Sequence, residues 1–176
     1  IYQGDNPIAV IASWDNFDAA KGLTRALKAG IKAKVSKKPF SLNVENKKTE
    51  FSAGSLVMQL PGDSAKKSAT IERIKQSFLP AGVDLYGVDS GLALDGVDLG
   101  SPSIEAITMP RPLLLVGGEV MSYEAGEVWH LLDTRVELPV AATADRDVAA
   151  RLERDTALVG QAHGALLVLL VRLRQV

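Results

Sequence analysis

Cysteine is absent from this sequence, and histidine is scarce. The 176 residues include no cysteine and two histidines, His130 and His163. A chain without cysteine forms no disulfide, offers no thiolate to a metal and has no cysteine nucleophile. The compartment stays undecided on this ground, because many exported proteins also lack cysteine.

An excess of charge of one sign and a long hydrophobic run are missing as well. The 20 basic and 21 acidic side chains give a formal net charge of -1, so no overall field attracts nucleic acid or an anionic membrane. The longest apolar segment, around Ala165 to Val171, is far shorter than the ~20 residues that cross a bilayer. We expect no nucleic-acid partner and no membrane insertion, and the sequence shows no signal-peptide pattern of its own.

Apolar residues at strand and helix spacing are frequent in the first half of the chain. Short apolar runs that predict strands occur at residues 8–13, 31–36, 54–60 and 83–88. Helical spacing follows the first and the third of these runs, and Asp63 or Ser64 is expected to cap the second helix. Such alternation predicts βαβ crossovers. We therefore expect an α/β fold of three layers, with a largely parallel sheet and helices on both faces.

Two irregular stretches interrupt this alternation. Residues 37–51, KKPFSLNVENKKTEF, are polar and turn-rich, and we interpret them as a long connection. Residues 89–112 are rich in glycine and proline, which is the composition of a linker or an ordered surface loop. We therefore expect either an α/β subdomain at 1–109 followed by a strand–turn–helix unit at 110–176, or one continuous domain.

Three carboxylates in the second irregular stretch raise the question of a cation site. They belong to Asp89, Asp95 and Asp98. A calcium loop needs a defined acidic spacing that closes with a bidentate glutamate, and this stretch has neither. Turn-forming and capping roles beside the glycines are the expectation for these side chains.

The second expected unit begins with a strand, a double-glycine turn and a helix. Backbone N–H groups at a helix start receive anions, and open α/β sheets bind ligands beside the carboxyl end of a strand. A small ligand, if one binds, is therefore predicted to lie beside Gly117, Gly118, Glu119, Ser122, Tyr123 and Glu124. The dinucleotide pattern G-x-G-x-x-G and the P-loop ending are both missing. A tight turn that allows close packing of strand and helix is the simpler explanation of the glycine pair.

Glu127 and His130 lie three residues apart on one face of this helix. This spacing supplies metal ligands in helical bundle proteins, and it makes the pair a candidate metal site. A functional zinc site needs three or four protein ligands, however, and the sequence shows no obvious third partner. The favoured interpretation is a packing helix, in which Val128, Trp129 and Leu132 contact the sheet while the glutamate and histidine form local hydrogen bonds.

The helix SYEAGEVWHLLD, residues 122–133, and the loop DLGSPS, residues 98–103, are the most distinctive segments of the sequence. With the looser likeness of the rest of residues 8–140, they resemble the C-terminal region of bacterial zinc carboxypeptidase-like proteins. In that family a carboxypeptidase-A-type domain precedes a class I glutamine-amidotransferase-like domain. The resemblance implies a flavodoxin-like three-layer domain in a secreted or periplasmic parent, with zinc bound only in the upstream peptidase domain.

The chain departs from this family at both catalytic centres. Neither histidine is followed by glutamate at the third position, as the zinc motif His-x-x-Glu requires, and no cysteine is present to act as the amidotransferase nucleophile. We therefore expect a non-catalytic accessory domain that needs no cofactor of its own and has the peptidase domain of its parent chain as partner. One alternative is a hydrolase or metal-dependent peptidase that uses Glu127 and His130. Another is a small-ligand binding domain at the turn of residues 117–124.

The likeness to the family fades after Val140. We therefore expect the second unit to be incomplete or altered towards its C-terminus. An incomplete unit leaves a sheet edge exposed, and an exposed edge pairs readily with another chain. A homodimer is the expected consequence.

Overall fold

The computed structural model of the chain describes residues 6–116, 121–144 and 168–171. The chain divides into two compact units, with the division between Thr108 and Met109. Among the described residues, the first unit contains a five-stranded and a three-stranded sheet, and the second unit contains a three-stranded sheet.

Besides a 3-10 helix at Leu79–Ala81, the described part of the first unit contains eight strands and two α-helices. In chain order these are β1 (Ala9–Ala12), α1 (Ala19–Lys28), β2 (Ala33–Ser36), β3 (Phe40–Val44), β4 (Lys47–Phe51), β5 (Leu56–Gln59), α2 (Ser64–Phe78), β6 (Leu85–Val88), β7 (Asp95–Gly96) and β8 (Ile104–Ile107). The four predicted strands correspond to β1, β2, β5 and β6, and both predicted helices are present. Asp63 is the N-cap of α2, and its carboxylate accepts a hydrogen bond of 2.9 Å from the backbone N–H of Lys66.

The five-stranded sheet has the order β6-β1-β5-β2-β8, and every neighbouring pair in it is antiparallel. Strands β1 and β2, joined through α1, run parallel to each other with β5 between them. Strands β5 and β6, joined through α2, run parallel to each other with β1 between them. These are two interlocked split βαβ units, the arrangement that also characterises ferredoxin-like domains.

The expectation of a largely parallel, flavodoxin-like sheet with helices on both faces is therefore wrong. In both architectures the chain alternates strand with helix, so the alternation does not reveal whether a further strand lies between the two that a helix joins. The continuous apolar run of β1 indicates a strand buried on both faces, and this is what the structure has. Periodicity cannot tell whether a helix or a second sheet covers the second face.

Helices cover one face of the five-stranded sheet and the three-stranded sheet covers the other. On the helix side, Val10 and Ala12 of β1 pack with apolar residues of both helices, including Ile74 and Phe78. On the opposite side, the other two residues of β1 pack with the apolar residues of β3. The layers of the first unit are thus helix, sheet and sheet.

The long connection predicted at residues 37–51 is instead a β-hairpin. Its strands β3 and β4 pair antiparallel, and the order of the small sheet is β4-β3-β7. Glu45 and Asn46 form the turn with positive φ angles of 51° and 62°, as a two-residue type I′ hairpin turn requires. This hairpin is difficult to predict from the sequence, because the turn lacks the usual Asn-Gly pair and only Phe51 of the five β4 residues is buried.

The described part of the second unit forms β9 (Arg111–Leu115), α3 (Ser122–Trp129), β10 (Ala141–Thr143) and β11 (Val168–Val171). Strand β9 is central, and it pairs parallel with β10 and antiparallel with β11. A π-helix at His130–Arg135 continues α3. No helix in the described part of the chain is long and apolar enough to cross a membrane.

Candidate functional site

The structure brings four of the predicted site residues to one surface of the second unit. Ser122, Tyr123, Glu127 and His130 line an open pocket of about 440 Å³ together with Gly126. All five lie on α3 or at its junction with the π-helix, and all are exposed. The helical spacing predicted for Glu127 and His130 therefore does place them beside each other at a concave surface.

The other residues of the predicted ligand turn do not complete this pocket. Gly117, Gly118 and Glu119 lie outside the described residues. Glu124 is half-buried and does not belong to the pocket lining. Its Oε2 atom is buried and has no hydrogen-bond partner among the residues that the structure describes.

The packing predicted for this helix is only partly right. Ala125 is its buried residue, and Val128 and Leu132 are half-buried. Trp129, expected to pack on the sheet, is 44% exposed. Within residues 6–116, 121–144 and 168–171, no three acidic or histidine side chains are grouped so that they could hold a metal, and the metal site at Glu127 and His130 stays a prediction.

A second pocket, which the sequence did not predict, lies in the first unit. It has a volume of about 520 Å³, and we call it the acidic pocket. Its lining residues are Asp15, Pro39, Phe40, Ser41, Glu50, Phe51, Ser52, Asp95 and Gly96. They come from the loop after β1 and from the three strands of the small sheet with their flanking residues.

Strand register places three polar residues of this pocket in a row. Ser41 of β3 pairs with Glu50 of β4 on one side and with Asp95 of β7 on the other. Side chains of directly paired residues lie on the same face, with Cβ atoms about 4.5–5.5 Å apart. Phe40 and Leu42 pack into the core, so the side chain of Ser41 between them points to the opposite face. A hydroxyl therefore lies between two carboxylates.

The hydroxyl of Ser41 is buried without a partner. Ser41 is 2% exposed, and its Oγ has no hydrogen-bond partner in the described part of the chain. Burying an unpaired hydroxyl costs about 1–3 kcal/mol. Ser55 and Glu124 also have a buried oxygen without a partner there, but only Ser41 lines the acidic pocket. The pocket thus contains a group that gains free energy when a donor or acceptor enters.

Three carboxylates give the acidic pocket its charge, and no basic side chain belongs to its lining. Asp15 Oδ1 accepts a hydrogen bond of 3.1 Å from Ser52 Oγ. Glu50 forms an ion pair of 3.6 Å with Lys48, in which both side chains are at least half exposed. Exposed pairs of this kind contribute little and exchange readily. The pocket therefore presents negative charge to the solvent.

Aromatic rings pack on the core face of the small sheet behind the pocket, and a glycine allows a close approach of two of its strands. The rings of Phe40 and Phe51 stack with centroids 5.2 Å apart, and Phe51 meets Tyr86 edge to face at 5.3 Å. Gly96 has a φ of +88°, and a Cβ there would lie 2.4 Å from the carbonyl oxygen of Pro39. Only glycine allows β7 to approach β3 this closely.

Sequence patterns gave other roles to most residues of the acidic pocket. Asp95 was expected in a turn, and Ser41 and Glu50 fell in the presumed connection. The expected loop role does apply to the neighbouring Asp98, which accepts a hydrogen bond of 2.7 Å from the backbone N–H of Ala93. The alternation of the apolar residues Phe40, Leu42 and Val44 with polar residues was the available sequence signal for β3.

Comparison with known proteins provides no relative from which a function could be transferred. No protein-family model, no curated protein and no solved structure matches the chain. The resemblance to the zinc carboxypeptidase-like family therefore stays a prediction from the sequence.

Proposed function

We propose that this chain is a non-catalytic accessory module of a zinc carboxypeptidase-like protein and that it binds a ligand in the acidic pocket. The observation that carries the binding role is the buried hydroxyl of Ser41 between the carboxylates of Glu50 and Asp95, which has no hydrogen-bond partner among the described residues. A protein that retains such a group loses stability by it. A ligand that pairs with the hydroxyl recovers this loss on binding.

The role in the parent protein is supported by the likeness of residues 8–140 to the family and by the missing cysteine nucleophile. On this proposal the peptidase domain of the same parent chain is the partner, and zinc is bound there. A ligand held in the acidic pocket is then kept near the peptidase domain. The parent is secreted or periplasmic, as the resemblance implies.

Replacing Ser41 with alanine is expected to leave the free energy of unfolding unchanged or to raise it by up to about 1–3 kcal/mol, because an unpaired buried hydroxyl is removed. Ser36 provides a matched control. It is a strand serine that is 1% exposed, and its Oγ donates a hydrogen bond of 2.6 Å to the backbone oxygen of Lys38. Ser36→Ala is expected to lose about 1 kcal/mol. Urea unfolding of the three proteins measures both effects, and an equal loss in both variants would refute the binding role.

A hydrolase that uses Glu127 and His130 is the second candidate. It is favoured by the pocket that these residues share with Ser122. It is also favoured by the change from α-helix to π-helix at His130, where the N–H of Val136 donates to the oxygen of Leu131 at 3.0 Å. Such π segments are frequent at functional sites.

The accessory role predicts that dialysis against zinc leaves the chain without stoichiometric metal. Glu127 and His130 supply two ligands, whereas protein zinc sites use three or four. Elemental analysis of the dialysed chain, with His130→Ala as comparison, measures this. Near-stoichiometric zinc that disappears in the variant would contradict the accessory role and support the hydrolase.

A further inference from the structure

We propose that the ligand of the acidic pocket is an organic cation: an ammonium or guanidinium group on a short apolar stem. This inference rests on the proposed binding function and names its ligand class. Two independent observations carry it. One is the set of three carboxylates without a basic residue in the lining, and the other is the buried hydroxyl of Ser41 that faces the same space.

The negative charge of the acidic pocket favours a cationic ligand. Asp15, Glu50 and Asp95 come from three separate segments of the chain and converge on one pocket. A concave surface lined by carboxylates raises the local concentration of cations. The ion pair of Glu50 with Lys48 is exposed on both sides, so an entering cation replaces it at small cost.

The spacing of the carboxylates selects an extended cation over a metal ion. In the described part of the chain, no three acidic or histidine side chains lie close enough together to hold a metal. An ammonium group has three N–H donors and a guanidinium group has five. These donors reach several acceptors that are spaced along a row, and Glu50, Ser41 and Asp95 form such a row on one face of the small sheet.

The remaining wall selects an apolar stem. Pro39 supplies carbon surface to the lining, whereas the rings of Phe40 and Phe51 are buried on the core face of the small sheet. The volume of about 520 Å³ is within the range of about 300–1,000 Å³ that is typical of small-molecule sites. A short alkyl chain against Pro39, with its charged end at the carboxylates, uses both parts of the wall.

In the test, the full chain is titrated with each of four probes, and binding is measured by calorimetry and by the shift in thermal unfolding. The probes are doubly protonated 1,5-diaminopentane, its neutral analogue 1,5-pentanediol, calcium chloride, and a capped tripeptide with one central lysine. We expect saturable binding of the diamine, of the peptide or of both, with neither diol nor calcium binding. Binding of the diamine alone would identify a free amine as the source of the cationic group. Binding of the peptide alone would identify the side chain of a basic residue as that source.

Two isosteric variants locate the binding. Asp95→Asn and Glu50→Gln are each expected to weaken the cation about tenfold or more, because each removes a charged acceptor. Asp84→Asn is the matched control, since Asp84 is exposed in the first unit and outside the pocket lining. The affinity of the Asp84→Asn variant for the cation is expected to change less than about twofold. This variant loses the same charge as the pocket variants, but at a distance from the pocket.

Several outcomes would overturn the inference: no binding of diamine or peptide, equal binding of the diol, calcium binding that Asp95→Asn abolishes, or equal weakening by Asp84→Asn. The failure of the inference is separable from that of the binding function. If Ser41→Ala loses stability as Ser36→Ala does, the binding function itself fails. If Ser41→Ala keeps its stability and the diol binds in place of the diamine, only the cationic class is wrong.

Discussion

Replacing Phe78 with alanine is expected to lower the free energy of unfolding by about 3–5 kcal/mol. Phe78 is the last residue of α2, and its side chain is fully buried. It packs in the core cluster that includes residues of both helices and of the five-stranded sheet. The substitution removes the ring that packs between the two helices and leaves a cavity there. This cavity can close only if one of the helices moves.

Urea unfolding followed by circular dichroism measures this loss. Phe17→Ala is the matched control, because the same ring at position 17 is 53% exposed and substitutions at the surface usually change stability by less than about 0.5 kcal/mol. A loss below about 1 kcal/mol in Phe78→Ala would show that the helix layer does not depend on this ring.

Gly22→Ala is the second substitution with a large expected effect, a loss of about 1–3 kcal/mol. Gly22 lies buried in the middle of α1. A Cβ built there would lie 2.3 Å from Cδ1 and 2.8 Å from Cε1 of Phe78. Alanine is the better helix former by about 1 kcal/mol, but the ring that its methyl group meets is fully buried and sits in a close-packed core. The steric effect therefore outweighs helix propensity.

The control for Gly22 is a helical glycine without a neighbour. Gly126 of α3 is exposed, and a Cβ there would meet nothing within 4 Å. Gly126→Ala is expected to stabilise its helix by up to about 1 kcal/mol. Differential scanning calorimetry of both variants compares the signs. Stabilisation by both substitutions would mean that the approach of α1 to α2 is looser than the structure shows.

Coupling between the two positions gives a sharper test of the same contact. In a Phe78→Leu background the ring is gone, and the methyl group of Gly22→Ala enters space that the smaller side chain leaves. The cost of Gly22→Ala is therefore expected to fall, with a coupling free energy of about 0.5–3 kcal/mol between the two substitutions. Strictly additive losses would show that the two residues do not touch.

Local patterns were sufficient for the helices and strands whose residues repeat with a clear period. Apolar residues at helical spacing predicted α2, and Asp63 or Ser64 was expected as its cap; in the structure Asp63 is the cap. Both signals depend on neighbours within one or two turns of the helix, and such neighbours are close in any fold. The hairpin of β3 and β4 was missed, because its turn residues Glu45 and Asn46 adopt positive φ angles without the glycine that usually marks them.

The acidic pocket could not be predicted from the sequence, although the sequence contains every residue of its lining. Ser41 is separated from Asp95 by more than fifty positions, and only the register of β3 with β7 makes them neighbours. In contrast, Glu127 and His130 share a pocket because helical spacing alone brings them together. Sites built within one helix are predictable to this extent, and sites built across strands require the pairing.

Composition and short-range periodicity thus account for the missing cysteine chemistry, the low net charge and the position of α2 and the main strands. They do not account for the antiparallel order β6-β1-β5-β2-β8 or for the second sheet that covers β1. A strand buried on both faces has the same apolar run whichever element covers it. Strand direction and register depend on contacts between residues far apart in the chain, and these contacts, through Ser41 and its paired carboxylates, also create the acidic pocket.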